Sequence, residues 1–451
     1  MISNLKPYPK MKDSGVPWLG QVPEHWALRR MKTLLHERVE KGHPDQPLLA
    51  ATQTKGVVRK DQYENRTVLA LKDLHLLKLV RNGDFVISLR SFQGGIEYAR
   101  DQGIISPAYT ILYPLESQTQ RFLARLFKAA PFIENLRLHV TGIREGQNVD
   151  YERLSRSSVP IPPTAEQEAI VRFLDHVDRR IRRYIASKQS AAGRAAEARL
   201  NLTEAAIDEA STKHVRLSAA ADLISRPVKR IGDLVYTPVG LFNRGRGMFH
   251  KPPTRGAELG DSEFFWIEEG DLVISGQFAW EGAVALAGQS DAGCIASHRY
   301  PVLRGKPAVA ESAYLWAFFR TAYGQLLFDV HSRGAAGRNR PLNPRSLLKE
   351  HIPIPPLSLQ QRIAEMVHLE NWLHHAVAQQ AALLREFRNR IVADVVTGKI
   401  DVRAATAGLP ADAGEQADTD ESVLENDSGE VAEGSESELV TAEMISRAAR
   451  K

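Results

Sequence analysis

The 451-residue chain is 43% hydrophobic and 25% charged, a globular balance that excludes fibrous, collagen-like and wholly disordered classes, and its length points to about two to four domains. One cysteine, Cys294, excludes disulfide frameworks, zinc ribbons and CxxC redox pairs. Residues 404–451 carry 12 acidic and 3 basic side chains, leaving residues 1–403 with 56 of the 59 Lys and Arg and 42 of the 54 Asp and Glu. Such a basic body draws polyanions by counterion release, so nucleic acid is the first partner to consider. Met1–Lys12 has no apolar h-region and no run of about 18 apolar residues follows, so a cytoplasmic protein with no membrane segment is expected.

In chain order, β-branched and aromatic residues after a Gly-Asp turn predict a strand over Asp84–Arg90. Apolar spacing predicts a helix over Leu123–Leu138, kinked at Pro131. Val159-Pro-Ile-Pro-Pro163 predicts an extended strap, because proline lacks an amide donor and fixes φ; Thr164 is the expected N-cap of the next helix, with Gln167 three residues on. Positions 170, 174, 177, 181, 184, 188, 191, 195, 198, 202 and 205 form a heptad seam broken only by Lys188, predicting a coiled-coil helix over Thr164–Ala210.

The same order then returns. Gly83-Asp-Phe-Val-Ile-Ser88 recurs 187 residues later as Gly270-Asp-Leu-Val-Ile-Ser275, with a strand expected over Asp271–Ser275. A helix is predicted over Ala313–Val330, and the strap recurs after 193 residues as Ile352-Pro-Ile-Pro-Pro356, with Ser358 the expected N-cap and Gln361 its partner. A second, patchier seam predicts a helix over Leu357–Val396. Ser106 and Ser297, Tyr109 and Tyr300, Phe127 and Phe319, and Gly142 and Gly334 are further echoes. If the two helices pair, two heads are held apart by an antiparallel rod and would read two half-sites separated by untouched bases. The alternative is that each helix packs only on its own domain, although helices this long carry more seam than a small domain covers.

The opening Lys12-Asp-Ser-Gly-Val-Pro-Trp-Leu-Gly20, then Val22-Pro-Glu-His-Trp26, the two straps, and the closing Val395-Val-Thr-Gly-Lys-Ile-Asp-Val-Arg403 together resemble the specificity subunits of Type I restriction-modification systems over residues 8–403. The family's straps often continue to Glu-Gln; Glu166-Gln167 keeps that pair and Leu359-Gln360 does not. The resemblance implies an α+β fold with two pseudo-symmetric mixed α/β target-recognition domains separated by two long antiparallel coiled-coil helices, and a disordered acidic C-terminal tail. The domains expected are 1–163 (N-terminal arm and first target-recognition domain), 164–210 (central spacer helix), 211–356 (second target-recognition domain), 357–403 (distal spacer helix) and 404–451 (tail). It further implies a non-enzymatic subunit that binds double-stranded DNA at a bipartite site and scaffolds two methyltransferase subunits and, through them, restriction-translocase subunits. No cofactor is expected in this chain; S-adenosylmethionine would sit on the methyltransferase, and ATP and Mg on the restriction subunit.

No catalytic or metal-binding residue is assigned. The chain lacks an Asn-Pro-Pro-Tyr or Asp-Pro-Pro-Tyr methyltransferase motif and a GxxxxGK[ST] phosphate loop, while His368, His374 and His375 read as solvated. Arg, Lys, Asn and Gln in loops carry the donors that match bases and phosphate. The DNA-contact candidates are Gln53, Lys55, Arg59, Lys60, Arg90, Ser91, Gln93, Arg144, Gln147 and Asn148 in the first head. In the second they are Asn243, Arg244, Arg246, Gln277, Trp280, His298, Arg333, Arg338, Asn339 and Arg340. A stand-alone DNA-modifying enzyme and a coiled-coil scaffold unrelated to DNA remain the competing readings.

Overall fold

Gly83-Asp84 and Gly270-Asp271 each open a strand whose residues are buried on both faces, and the rest of each fold is arranged around that strand. The computed structural model describes residues 5–53, 55–62, 73–141, 148–333 and 340–409. They fall into two compact units, one drawn from Met1–Ser187 and Ala378–Asp427, the other from Lys188–Val377. Of the expected tail 404–451, residues 404–407 are instead helical, in Arg403–Ala407, with Thr406 buried, and the chain from residue 410 onward lies outside the described residues.

In the first unit an antiparallel sheet runs in the order Leu35–Arg38, Thr110–Pro114, Phe85–Ile87, Glu97–Tyr98. Strand side chains alternate between faces. Phe85, Ile87 and Leu112 therefore pack on a helical side with Phe122, Leu126, Phe127 and Phe132. Val86 and Ile111 pack on the other side with Val57, Val80 and Ile105. The second unit repeats the order with Ala221–Ile224, Val302–Gly305, Leu272–Ile274 and Val284–Leu286. Leu272, Ile274 and Leu303 face the helical core, while Val273, Ala285 and Val302 face the opposite one.

The aspartate of each Gly-Asp turn is buried and ionically held. Asp84 accepts from Arg38 Nε at 2.8 Å and Nη2 at 3.1 Å, and from the Arg81 amide at 2.8 Å. Asp271 accepts from Arg226 Nη1 at 2.8 Å, from Arg304 Nε at 2.9 Å and from the Glu268 amide at 2.9 Å. A buried carboxylate needs such partners. Gly83 and Gly270 have φ of +89° and +82°, conformations that glycine adopts without strain.

The predicted helices 123–138 and 313–330 are each two shorter helices, Gln120–Leu126 with Ala130–Arg137, and Ser312–Phe319 with Ala322–His331. Pro131 starts a helix rather than kinking one, since its missing N–H costs nothing in a first turn. Thr321 restarts the other by accepting from the Gly324 amide at 3.2 Å.

Each strap is an edge strand: Ser158–Ile161 pairs antiparallel with Ala27–Arg30, and His351–Ile354 with Lys213–Arg216. The long helices follow as Thr164–Ile207 and Leu357–Val396. The residue that ties strap to helix is a buried glutamine, 193 positions apart in the two copies. Gln167 Nε2 donates to the Pro162 carbonyl at 2.8 Å, and Gln360 Nε2 to that of Pro355 at 2.8 Å. Gln360, not the exposed Gln361, is thus the equivalent, and Ser358 lies inside the helix rather than capping it. Glu166 accepts from Tyr8 Oη, from Trp26 Nε1 at 3.0 Å and from His25 Nε2 at 2.8 Å, fixing the N-terminal arm to this helix start.

Within the first unit the two long helices meet antiparallel, Asp178 with Arg388 at 2.8 Å and Tyr184 with Gln380 at 3.2 Å. Within the second, Arg199 Nε donates to Glu370 at 2.9 Å with both side chains buried. The heptad seam holds through Ile181; thereafter Ile185, Ala192, Arg199, Thr203 and Ala206 are buried and Ala198 and Ala205 exposed. An α-helix drifts about 20° per heptad, so over about four to five heptads its buried face advances by one residue.

Asp178 also accepts from Arg125 Nη1 at 2.7 Å. Burial alone would raise its carboxyl, but Arg125 and Arg388 overcome this and hold it at about 2, below the ordinary 3.8. A depressed folded value means that the stability contributed is complete above about pH 4 and is lost as the pH falls through about 2. Asp178→Ala is expected to lower the urea unfolding free energy by about 3 kcal/mol and to flatten that part of the acid-unfolding profile. Urea titrations at neutral and acid pH measure both effects.

Candidate nucleic-acid interface

In each unit the buried central strand ends in a turn that meets the tip of a neighbouring hairpin. In the first unit the turn begins at Ser88. Ser91 is buried, its Oγ accepting from the Ser88 amide at 2.8 Å, whereas Arg90 and Gln93 are exposed on either side of it. Gly95 closes the turn at φ +86°, so tightly against the Phe127 carbonyl that a Cβ would lie 2.2 Å from its oxygen. The hairpin Leu49–Thr52/Gly56–Arg59 brings in its tip: Thr52 Oγ1 accepts from the Lys55 amide at 2.9 Å, and the exposed Gln53 reaches Gln93 at 3.5 Å.

Arg59 leans on Asp61 at 2.7 Å, and Lys60 lies in the short 3-10 turn that follows. Asn148 lies in the two-residue strand Asn148–Val149, which pairs with Val140–Thr141 and packs beside the Ser91–Gly94 turn. Arg144 and Gln147 lie outside the described residues. At the base of this segment His139 Nε2 meets Ser157 Oγ at 3.1 Å; burial, then Arg153, lowers its pKa.

In the second unit the turn Ser275–Gly282 takes the same position. Gly282, at φ +74°, accepts at its carbonyl from the Gly245 amide at 2.7 Å, joining the turn to the hairpin tip Asn243–Gly245. Asn243 is buried with its amide on the Glu281 carboxylate, while its Oδ1 has no partner. Arg244 is exposed in a left-handed conformation, φ 59°. Arg246 donates to the Asn243 carbonyl at 3.2 Å and covers the Phe242 ring.

Trp280 donates to the Gln277 carbonyl at 3.1 Å and lies under the Arg340 guanidinium, 4.9 Å from its ring centroid. Arg340 is oriented by Asp329 at 2.8 Å and the Ser332 carbonyl at 3.2 Å. The Leu342 amide donates to the Gly276 carbonyl at 2.7 Å, so the chain after Arg340 returns along the turn. Arg333 is exposed at the start of this segment. His298 is exposed one residue from Arg299, whose carbonyl accepts from Gly276 at 2.7 Å. Arg338 and Asn339 lie outside the described residues.

Asn243, Arg244, Arg246, Gln277, Trp280 and Arg340 are thus drawn together, as are Gln53, Lys55, Arg90 and Gln93. Sequence reading overlooked Lys128, whose ammonium donates to the carbonyls of Gln53 at 2.9 Å and Gly94 at 2.9 Å and to the Glu97 carboxylate at 2.6 Å. The echo of Phe127 in Phe319 was its signal, since a basic residue follows both. Among the described residues no three His, Cys, Asp or Glu are placed to hold a metal, and no helix is long and apolar enough to cross a membrane. Cys294 is buried, which pushes its thiol pKa up.

The model of the Type I restriction modification DNA specificity domain matches residues 27–188. Over that stretch the chain is similar to the DNA specificity domains of Type I restriction-modification systems. No curated protein matches it. Among solved structures, one described as the basis of complex assembly and conformational transition of the type I R-M system is 17% identical, with 83% of this chain and 98% of that chain covered and a TM-score of 0.50. The HsdS subunit from Thermoanaerobacter tengcongensis is 16% identical over 84% and 98%, TM-score 0.40. The S subunit of the Type I system from M. genitalium is 12% identical over 86% and 98%, TM-score 0.43. The first is a likeness of fold. The matched specificity domain contains the turn and hairpin tip of the first unit, which makes that cluster the candidate DNA-reading edge.

In the first unit Gly95→Ala would combine a left-handed φ with a collision against backbone. It is expected to cost about 2 kcal/mol and to displace Arg90 and Gln93; urea unfolding and a crystal structure of the variant check both.

Proposed function

We propose that the chain reads a bipartite double-stranded DNA site, one half with the turn-and-hairpin cluster of each unit, and scaffolds two methyltransferase subunits and, through them, restriction-translocase subunits. The duplication carries this reading: both units repeat one strand order and one meeting of turn and hairpin, and a DNA specificity domain occupies the first. The exposed Arg90 and Gln93 in one cluster, and Arg244 and Arg246 in the other, have the donors for base edges and phosphate. Arg144, Gln147, Arg338 and Asn339 extend the same proposal. DNA recognition is the family's role, and catalysis belongs to its partners: S-adenosylmethionine would bind the methyltransferase, and ATP and Mg the restriction subunit, in the cytoplasm.

Methylome sequencing of cells with and without the chain is expected to reveal a split adenine-methylation motif that depends on it; loss of no motif counts against the reading. In gel shifts with the methyltransferase subunit, Arg244→Ala is expected to weaken binding to all sequences and to reduce the salt slope by about 1 if it contacts phosphate. A selective loss at one base pair of about 1–3 kcal/mol would instead mark it as a base reader.

A further inference from the structure

The proposed reading edge of the first unit consists of two separate pieces of chain, the hairpin tip at Gln53 and the turn at Arg90–Gln93. Gln53 reaches Gln93 at 3.5 Å and packs over Gly94, where a Cβ would lie 2.8 Å from its Cγ. What joins them is Lys128. A lysine ammonium has three donors, and here one goes to the carbonyl of each piece, Gln53 and Gly94, and one to Glu97, which is 1% exposed. None is left for a phosphate.

The helix Gln120–Leu126 delivers this side chain, and Phe127, which caps it, presses its carbonyl against Gly95 of the turn. In the second unit the residue 192 positions later is again a cation, Arg320. It lies directly beneath the other hairpin tip: a Cβ on Gly245 would be 2.6 Å from Arg320 Nε. Its guanidinium stacks on Trp316 at 4.5 Å and is held by Glu370 at 2.9 Å, which also takes Arg199. The anchoring carboxylate has moved from the adjacent strand in one unit to a long helix in the other, but the cation beneath the tip is kept.

We propose that Lys128 and Arg320 are the positioning residues that set the register between hairpin tip and turn in each unit, and so determine base discrimination without touching DNA. The inference rests on the proposed reading of a bipartite site. A cation that only fixes geometry should affect the contrast between right and wrong sequence, and only in the half-site read by its own unit. A general loss of stability would lower occupancy of the whole site.

The test uses the full chain with its methyltransferase subunits, on the motif that methylome sequencing recovers for the unaltered protein. Lys128→Met is expected to relax the bases of one half of that motif only and to lower the ratio of cognate to scrambled-DNA affinity at least tenfold. Affinity for scrambled DNA and its salt slope should stay within about twofold. Lys128→Arg is expected to restore most of the ratio, and Arg320→Met to relax the other half. Glu97→Gln weakens the hold on the ammonium without removing it and is expected to give a smaller loss of the same kind, which serves if Lys128→Met does not fold. An unchanged ratio in Lys128→Met or Glu97→Gln overturns the proposal. So does a parallel loss on cognate and scrambled DNA with a shallower salt slope, which would make Lys128 a phosphate contact. An unaltered protein that yields no motif defeats the bipartite reading itself, a different failure.

Discussion

An aspartate buried at the head of a central strand cannot remain charged without partners, and in both units that requirement ties the strand to others of its sheet. Asp84 takes Arg38 from the edge strand Leu35–Arg38, beyond Thr110–Pro114, and Asp271 takes Arg226, just past the edge strand Ala221–Ile224, and Arg304 from the strand beside it. Because the same carboxylate also closes its own turn on a backbone amide, one group sets where the strand starts and what lies beside it. The strand is only three residues long in each unit. Its far end, where the candidate reading turn begins, is therefore about 10 Å from the anchoring carboxylate. Local electrostatics at one end of a short rigid element thus determines where polar side chains emerge at the other.

The long helices follow the same principle with the roles exchanged. In the first unit the buried carboxylate belongs to the first long helix and is gripped by Arg125 from the domain and Arg388 from the second. In the second unit it belongs to the second helix, as Glu370, and is gripped by Arg320 from the domain and Arg199 from the first. Each unit thereby locks its helix pair to its own helical core through a buried carboxylate between two guanidiniums, with Asp175 adding a second hold on Arg125 and one on Arg121 in the first unit. Buried charge is costly, and an apolar contact would serve stability as well. What the ionic form adds is registry, because the partners fit only at one position along a helix whose small alanines would otherwise tolerate sliding.

On the proposed reading, this arrangement would separate affinity from discrimination. Exposed arginines at turn and tip would supply attraction that any duplex can satisfy. Selectivity requires donors held in place relative to one another, and the groups that hold them, Ser91, Lys128, Glu97 and Asn243, are buried or already hydrogen-bonded. Several candidates on chemically plausible loops therefore divide into two kinds of residue, those available at the surface and those engaged within it.

The amino-acid sequence determined the duplication, the Gly-Asp strand openings, the proline straps and the long helix over Leu357–Val396, because each depends on local rules of period, proline geometry or self-similarity. It also showed the resemblance that the specificity-domain match bears out. It did not determine which glutamine of Leu-Gln-Gln361 turns inward, where the heptad seam slips, or that helices 123–138 and 313–330 are broken, since these depend on packing against distant residues. Nor could it reveal that Lys128 lies between Gln53 and Gly94 or that Arg199 lies opposite Glu370. Those partners are 34 to 171 residues apart in the chain. Only closure of the tertiary fold decides which cation meets which acceptor, because a charge in a sequence carries no information about what will surround it once water is excluded.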